Sequence, residues 1–187
     1  MAKSLDPQIL VKTFLDVAHK AFEGTSGRLI PSDPSTQKPQ NIIEYQGRMS
    51  ATGMDKFNGP THIAAVSFYS NEQDRDKHRA KGAIVMYLEA SNTEKILRAF
   101  GHTVGDDDEE EETLAACGKI CAMLANKLKD SLGCSSLVLS EPATGKNNIP
   151  EGVDFSGDQN QMQEFSFYFW KKKAMVVDIT MADVPRR

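Results

Sequence analysis

Between Leu114 and Leu132 apolar residues recur every three or four positions: Leu114, Cys117, Cys121, Leu124, Leu128 and Leu132, with Ile120 widening the row. That spacing lays them along one side of a helix, and it predicts a helix over about Asp107 to Leu132, stopped by Gly133. A helix this long with one apolar side must lie on a flat apolar surface. The end of the chain supplies one. Phe165, Phe167 and Phe169 alternate in one segment, Val177, Ile179 and Met181 in the next, and Lys171 to Lys173 separate them. Period-two alternation on both sides of a short polar break predicts a hairpin, Met162 to Trp170 with Ala174 to Met181.

The remaining elements fit the same plan. Leu10, Phe14, Val17, Ala18 and Ala21 are helically spaced, behind an Asp6 cap and Pro7 at the first helical position and ahead of Gly24. Residues 25–41 hold three prolines and little apolar content, so they read as an irregular connection. Strands are expected at Ile42 to Ala51, Thr61 to Tyr69 and Gly82 to Glu89, with Asn71 to Lys81 as a charged hairpin tip. Ser91 and Glu94 have capping-box spacing ahead of a short helix through Ile96, Leu97 and Phe100 to Gly101. Ser135 to Ser140 reads as a buried-type strand and residues 141–160 as a second irregular loop. The result is an α+β fold, an antiparallel sheet with helices packed on one face, in a chain whose 187 residues suit one domain spanning 1–187.

Composition narrows the function. A hydrophobic fraction of 40% excludes a disordered chain, and the longest apolar runs, Ala83 to Leu88 and Ile120 to Ala125, are six residues each. A bilayer span needs about 20. The opening residues show no secretory signal, and three cysteines cannot all pair within one chain, so a reducing, cytoplasmic setting is expected. Seven consecutive carboxylates, Asp106 to Glu112, account for the net charge of −4. Without them the chain would stand at about +3, with no basic stripe to hold nucleic acid.

The carboxylate run could be a docking surface for a basic partner or a cation site. Calcium loops alternate their ligands with glycine and spacers, which this run does not, and its place ahead of a helix favours charge complementary to the helix dipole. Cys117 and Cys121 share the apolar stripe and Cys134 opens a buried segment, so all three read as small core residues. His19, His62, His78 and His102 form no motif, and there is no phosphate loop, nucleophile elbow or zinc-protease helix. Neither a metal nor a cofactor is expected.

The segment Gly82-Ala-Ile-Val-Met-Tyr-Leu-Glu-Ala-Ser-Asn-Thr-Glu-Lys-Ile-Leu-Arg-Ala-Phe-Gly101 resembles the strand and helix of the CheC/CheX/FliY chemotaxis phosphatases, CheX above all. Leu114-Ala-Ala-Cys-Gly-Lys-Ile-Cys-Ala-Met-Leu-Ala-Asn-Lys-Leu128 is similar to that family's main helix. Val11 to Gly24 and Leu137 to Asn147 are similar to flanking parts. The resemblance implies a partner, a response-regulator receiver domain, and a Glu-x-x-Asn pair on the exposed side of the main helix. There the asparagine orients a water toward the receiver's phosphoaspartate while the glutamate engages the receiver beside it.

Alignment on Gly118 and Asn126-Lys127-Leu128 puts Lys119 at the glutamate position and Ala122 at the asparagine position. Lysine reverses the charge, and alanine cannot hydrogen-bond through its side chain. The expectation is a chemotaxis-type signalling protein that lacks the phosphatase pair and binds its partner through Glu112, Lys119, Ala122 and Asn126. The alternatives are an active receiver phosphatase using Glu112 and Asn126, or a small-molecule binding domain of the same fold. The resemblance further implies a homodimer joined through edge strands, for which Phe165 to Trp170 offers an apolar edge.

Overall fold

The computed structural model describes residues 7–23, 30–31, 43–44, 56–102, 109–154, 161–169 and 172–181. Along them run α1 (Pro7–Glu23), β1 (Ile30–Pro31), β2 (Ile43–Glu44), β3 (Thr61–Tyr69), α2 (Glu72–Asp76) and β4 (Gly82–Glu89). Then come α3 (Ala90–Ala99), α4 (Glu110–Ser131), β5 (Val138–Leu139), β6 (Ala143–Lys146), β7 (Gln161–Phe169) and β8 (Lys172–Met181). The strands form one antiparallel sheet in the order β1-β7-β8-β4-β3-β5, with β2 also on β7 and β6 also on β3.

The helices pack on one face, as the alternation requires. Leu10, Phe14, Val17 and Ala18 of α1, Ile96 and Leu97 of α3, and Cys117, Ile120, Cys121, Leu124 and Leu128 of α4 are buried there. They close over Ala64, Val66, Phe68, Ile84, Met86, Leu88, Phe165, Phe167, Val177 and Ile179. Phe14 wedges against the hairpin, its ring centroid 4.6 Å from that of Phe165 and 6.4 Å from that of Phe167. Leu114 and Leu132, expected in the buried stripe, are only half-buried at the two ends of α4.

The opposite face is covered as well, which a one-sided reading does not anticipate. Phe57 packs there on Ile63, Ala65, Val85, Tyr87 and Val176, with Val153 against the same cluster. All nine residues of β3 are therefore buried. Asp154 ties its segment down: Tyr69 Oη donates to Asp154 Oδ2 at 2.6 Å, and Ser67 Oγ donates to the Asp154 carbonyl at 2.9 Å. The Tyr69 hydroxyl is pushed up to about 12, by burial first and by Asp154 second.

Several boundaries differ for identifiable reasons. The Ser91–Glu94 box does not form, because α3 starts at Ala90 with Glu89 as its cap residue and Asn92 Nδ2 donates to Glu89 Oε2 at 2.7 Å. The charged tip carries a short helix, α2, capped by Asn71, whose Oδ1 accepts from the Asp74 N–H at 2.9 Å. Residues 141–160 are not one loop: β6 pairs Ala143–Lys146 with His62 to Ala65. The Ser135 to Ser140 segment is in strand only at Val138–Leu139. β5 and β6 line the same side of β3, and Pro142, which cannot donate a ladder hydrogen bond, stands in the break between them. The 25–41 connection contributes β1, and β1 and β2 both pair along β7, so the hairpin edge proposed for dimer pairing is met by the chain itself. Asp6, most of residues 25–41, Ile42, 45–51, Asp106 to Asp108 and Trp170 lie outside the described residues.

Among the described residues no helix is long and apolar enough to cross a membrane. Leu124 is fully buried between helix and sheet. Leu124→Ala should lower the unfolding free energy by about 2–5 kcal/mol, read from urea midpoints at constant slope.

Candidate functional site

The exposed side of α4 is where the resemblance puts chemistry, and the residues there are set by the residues beneath. Cys121 is buried with its Sγ 3.5 Å from the Ala64 carbonyl, and Leu124 and Leu128 continue the row, which turns Glu112, Lys119 and Asn126 outward. Gly118 seats the helix on the sheet edge: a Cβ there would stand 3.1 Å from Thr144 Cγ2 and 3.2 Å from Pro142 Cβ. Lys146 Nζ and Glu110 Oε1, 2.8 Å apart, tie the head of α4 to β6, and that contact holds the Glu110 carboxyl below its ordinary range.

Lys119 is exposed and Ala122 half-buried. Asn126 is exposed, but its Nδ2 donates to the Ala122 carbonyl at 2.9 Å, so the side-chain amide is turned back on its own helix. Glu112 sits in the first turn of α4. Fourteen residues separate it from Asn126, about 21 Å along a helix axis, so the two cannot act on one phosphoryl group. Lys119, Ala122 and Asn126 do share one stretch of surface, and Glu112 lies toward its acidic head.

The cysteines are free and buried, as their place in the stripe predicts. Burial pushes the Cys117 thiol up to about 12 and that of Cys121 further still, so neither offers a thiolate at neutral pH. Among the described residues no group of three His, Cys, Asp or Glu side chains is placed to hold a metal ion.

Two polar clusters escaped sequence reasoning. At the head of α4, His62 is 8% exposed and its Nδ1 lies 2.9 Å from Thr93 Oγ1, which in turn donates to the Glu89 carbonyl at 3.1 Å. The hydroxyl proton being used on Glu89, Nδ1 carries the ring proton. On the opposite sheet face Lys56 meets Glu164 and Asp178. His62 and Thr93 stand 31 residues apart and Lys56 and Glu164 108, so only the tertiary fold brings them together.

Burial lowers the pKa of His62, with Glu110 opposing that shift and Lys146 adding to it. A depressed histidine leaves the native state intact above the unfolded pKa of about 6.5 and costs stability as pH falls below it. The difference in urea midpoint between His62→Gln and wild type should therefore move in favour of the variant from pH 8 to pH 5.5. An unchanged difference would assign His62 no such burden.

No protein-family model and no curated protein sequence matches the chain. Solved structures do. A CheC-like superfamily protein from Shewanella sp. PV-4 superposes with a TM-score of 0.57 at 14% identity, over 94% of this chain and 98% of that one. The chemotaxis protein CheX from Desulfovibrio desulfuricans gives 0.55 at 15% identity, over 92% and 98%. A chain of the FliG–FliM complex from H. pylori gives 0.51 at 11% identity, over 96% of each. The chain has the fold of the CheC-like and CheX chemotaxis proteins.

Proposed function

We propose that this chain is a chemotaxis-type signalling protein that binds a response-regulator receiver through the exposed side of α4 and does not dephosphorylate it. The observation that carries the reading is the condition of that surface. Orienting a water for in-line attack takes a positioned hydrogen-bonding group at the reacting centre. Ala122 has none on its side chain, Lys119 brings a cation where the family uses an anion, and the Asn126 amide donates to the Ala122 carbonyl. What remains is a helical surface of small and polar side chains, suited to contact. The fold's occurrence in a chain of the FliG–FliM complex supports a binding role for the architecture.

The reading puts the protein in the cytoplasm, where reduced thiols such as Cys117, Cys121 and Cys134 persist. It also includes a homodimer, joined away from the stretches of β7 that β1 and β2 cover. Sedimentation at tens of micromolar should give about twice the 20.6 kDa chain mass, and a species at the chain mass would remove that part.

The functional test follows acyl phosphate on a cognate receiver with and without the protein. No acceleration is expected. A tenfold acceleration, about 1.4 kcal/mol of barrier, would show a working phosphatase site. Binding of the same receiver, measured by calorimetry, should weaken at least tenfold in Asn126→Arg while the thermal midpoint stays in place. Wild-type affinity in that variant would take the contact away from α4.

A further inference from the structure

Asn58-Gly59 is the only Asn-Gly pair in the chain, and the fold presents it in a bend between two anchored neighbours. On one side Phe57 packs on the second core, with Lys173 Nζ 5.4 Å from its ring centroid. On the other, the Pro60 carbonyl accepts from the Ala90 N–H at 2.8 Å, and Thr61 Oγ1 donates to the Gly59 carbonyl at 3.1 Å. Asn58 itself is exposed. Among the described residues neither its side-chain amide nor the Gly59 N–H takes part in a hydrogen bond.

The other described asparagines are placed differently. Asn71 Oδ1 accepts from the Asp74 N–H, Asn92 Nδ2 donates to Glu89 Oε2, Asn126 Nδ2 donates to the Ala122 carbonyl, and Asn147 Oδ1 accepts from the Thr61 N–H at 3.0 Å. Asn148 is exposed but is followed by Ile149, whose branched side chain crowds the backbone nitrogen between them. Asparagine is thermolabile, because its amide carbon lies within reach of the next backbone nitrogen. A following glycine removes the side chain that would screen that nitrogen. We propose that Asn58 is a site of self-modification, at which the folded chain converts its own amide into a carboxylate without an enzyme.

The step needs only water. The Gly59 nitrogen attacks Asn58 Cγ, and the new C–N bond closes a cyclic imide as the Cγ–Nδ2 bond breaks. The proton of the Gly59 N–H passes through solvent to the departing amide, which leaves as ammonia. Water then adds to one of the two ring carbonyls. Opening at Cγ leaves aspartate and the original main chain, whereas opening at the Asn58 carbonyl carbon leaves isoaspartate, with an extra methylene in the main chain. Either product adds one negative charge to a chain already at −4. They differ in what they do to the fold. Aspartate leaves Phe57 and Pro60 where they are, while isoaspartate lengthens the path between two residues that are both tied down.

The test incubates the intact protein at pH 8 in oxygen-18 water and maps asparagine conversion by peptide mass, beside a free peptide of residues 56–60. Labelled oxygen should enter at residue 58 ahead of every other described asparagine. Gly59→Ala is the matched variant. Gly59 does not use a positive φ, and a Cβ there would meet nothing within 4 Å, so the fold accepts alanine. Its Asn58 should convert at least about tenfold more slowly, because the methyl group crowds the attacking nitrogen. Equal rates in the two proteins would overturn the proposal. So would an intact protein that leaves Asn58 unchanged while the free peptide converts, since the fold would then be withholding the nitrogen. If Gly59→Ala moves the thermal midpoint, the order of conversion among the wild-type asparagines decides.

Discussion

The pairing of β3 with β4, eight residue pairs from Thr61↔Glu89 to Phe68↔Gly82, is the frame on which the other parts hang. One side of each strand meets the helices and the other meets Phe57 and Val153, so β3 is buried throughout, β4 from Gly82 to Leu88, and neither can slip. A shift of one residue would exchange Ala64, Val66 and Phe68 for Ile63, Ala65 and Ser67 at the helical core. Gly82 marks the far end of the register. A Cβ there would stand 2.1 Å from the Thr180 carbonyl oxygen, so β8 comes in at a distance only glycine permits.

Against that frame α4 does two different jobs with its two sides. The inward side is an ordinary apolar stripe, and its chemistry is closed off: buried thiols, no thiolate, no metal set among the described residues. The outward side is held in position by the inward one, and its character depends on very few atoms. The proposed function turns on positions 119 and 122, where the resemblance puts a glutamate and an asparagine. The lysine and alanine found there leave the surface in place, with no hydrogen-bonding group on the side chain at 122.

How much of this could be read from the residues depends on how local the cause is. β3 and β4 occupy the segments their patterning marks, Thr61–Tyr69 and Gly82–Glu89, because unbroken apolar runs between turn residues leave few alternatives. The same unbroken runs held the signal for burial on both faces, since a strand with one solvated face alternates. α4 keeps its stripe but begins at Glu110, within the carboxylate run. β6 was illegible because Ala143–Lys146 is recruited by the β3 edge through backbone hydrogen bonds, which ask little of side chains. The Ser91–Glu94 pattern was legible and misleading: β4 carries the chain directly into the helix, and Glu89 occupies the cap position first. At the site, exposure of Lys119 and Asn126 follows from helical spacing, whereas the turn of the Asn126 amide onto Ala122 is a rotamer choice the sequence does not encode. Lys56 and Glu164 stand 108 residues apart, and no local pattern announces their meeting.

Gly118 bears on how such a protein changes over generations. It is pressed between Thr144 and Pro142, and even a Cβ there would need those side chains to give by a few tenths of an ångström. Lys119, the very next residue, is exposed and touches no part of the core. Substitution is therefore tightly constrained at one position and open at its neighbour. A helix built this way can change the charge it presents to a partner without refolding anything, so its surface is free to diverge while the shape persists.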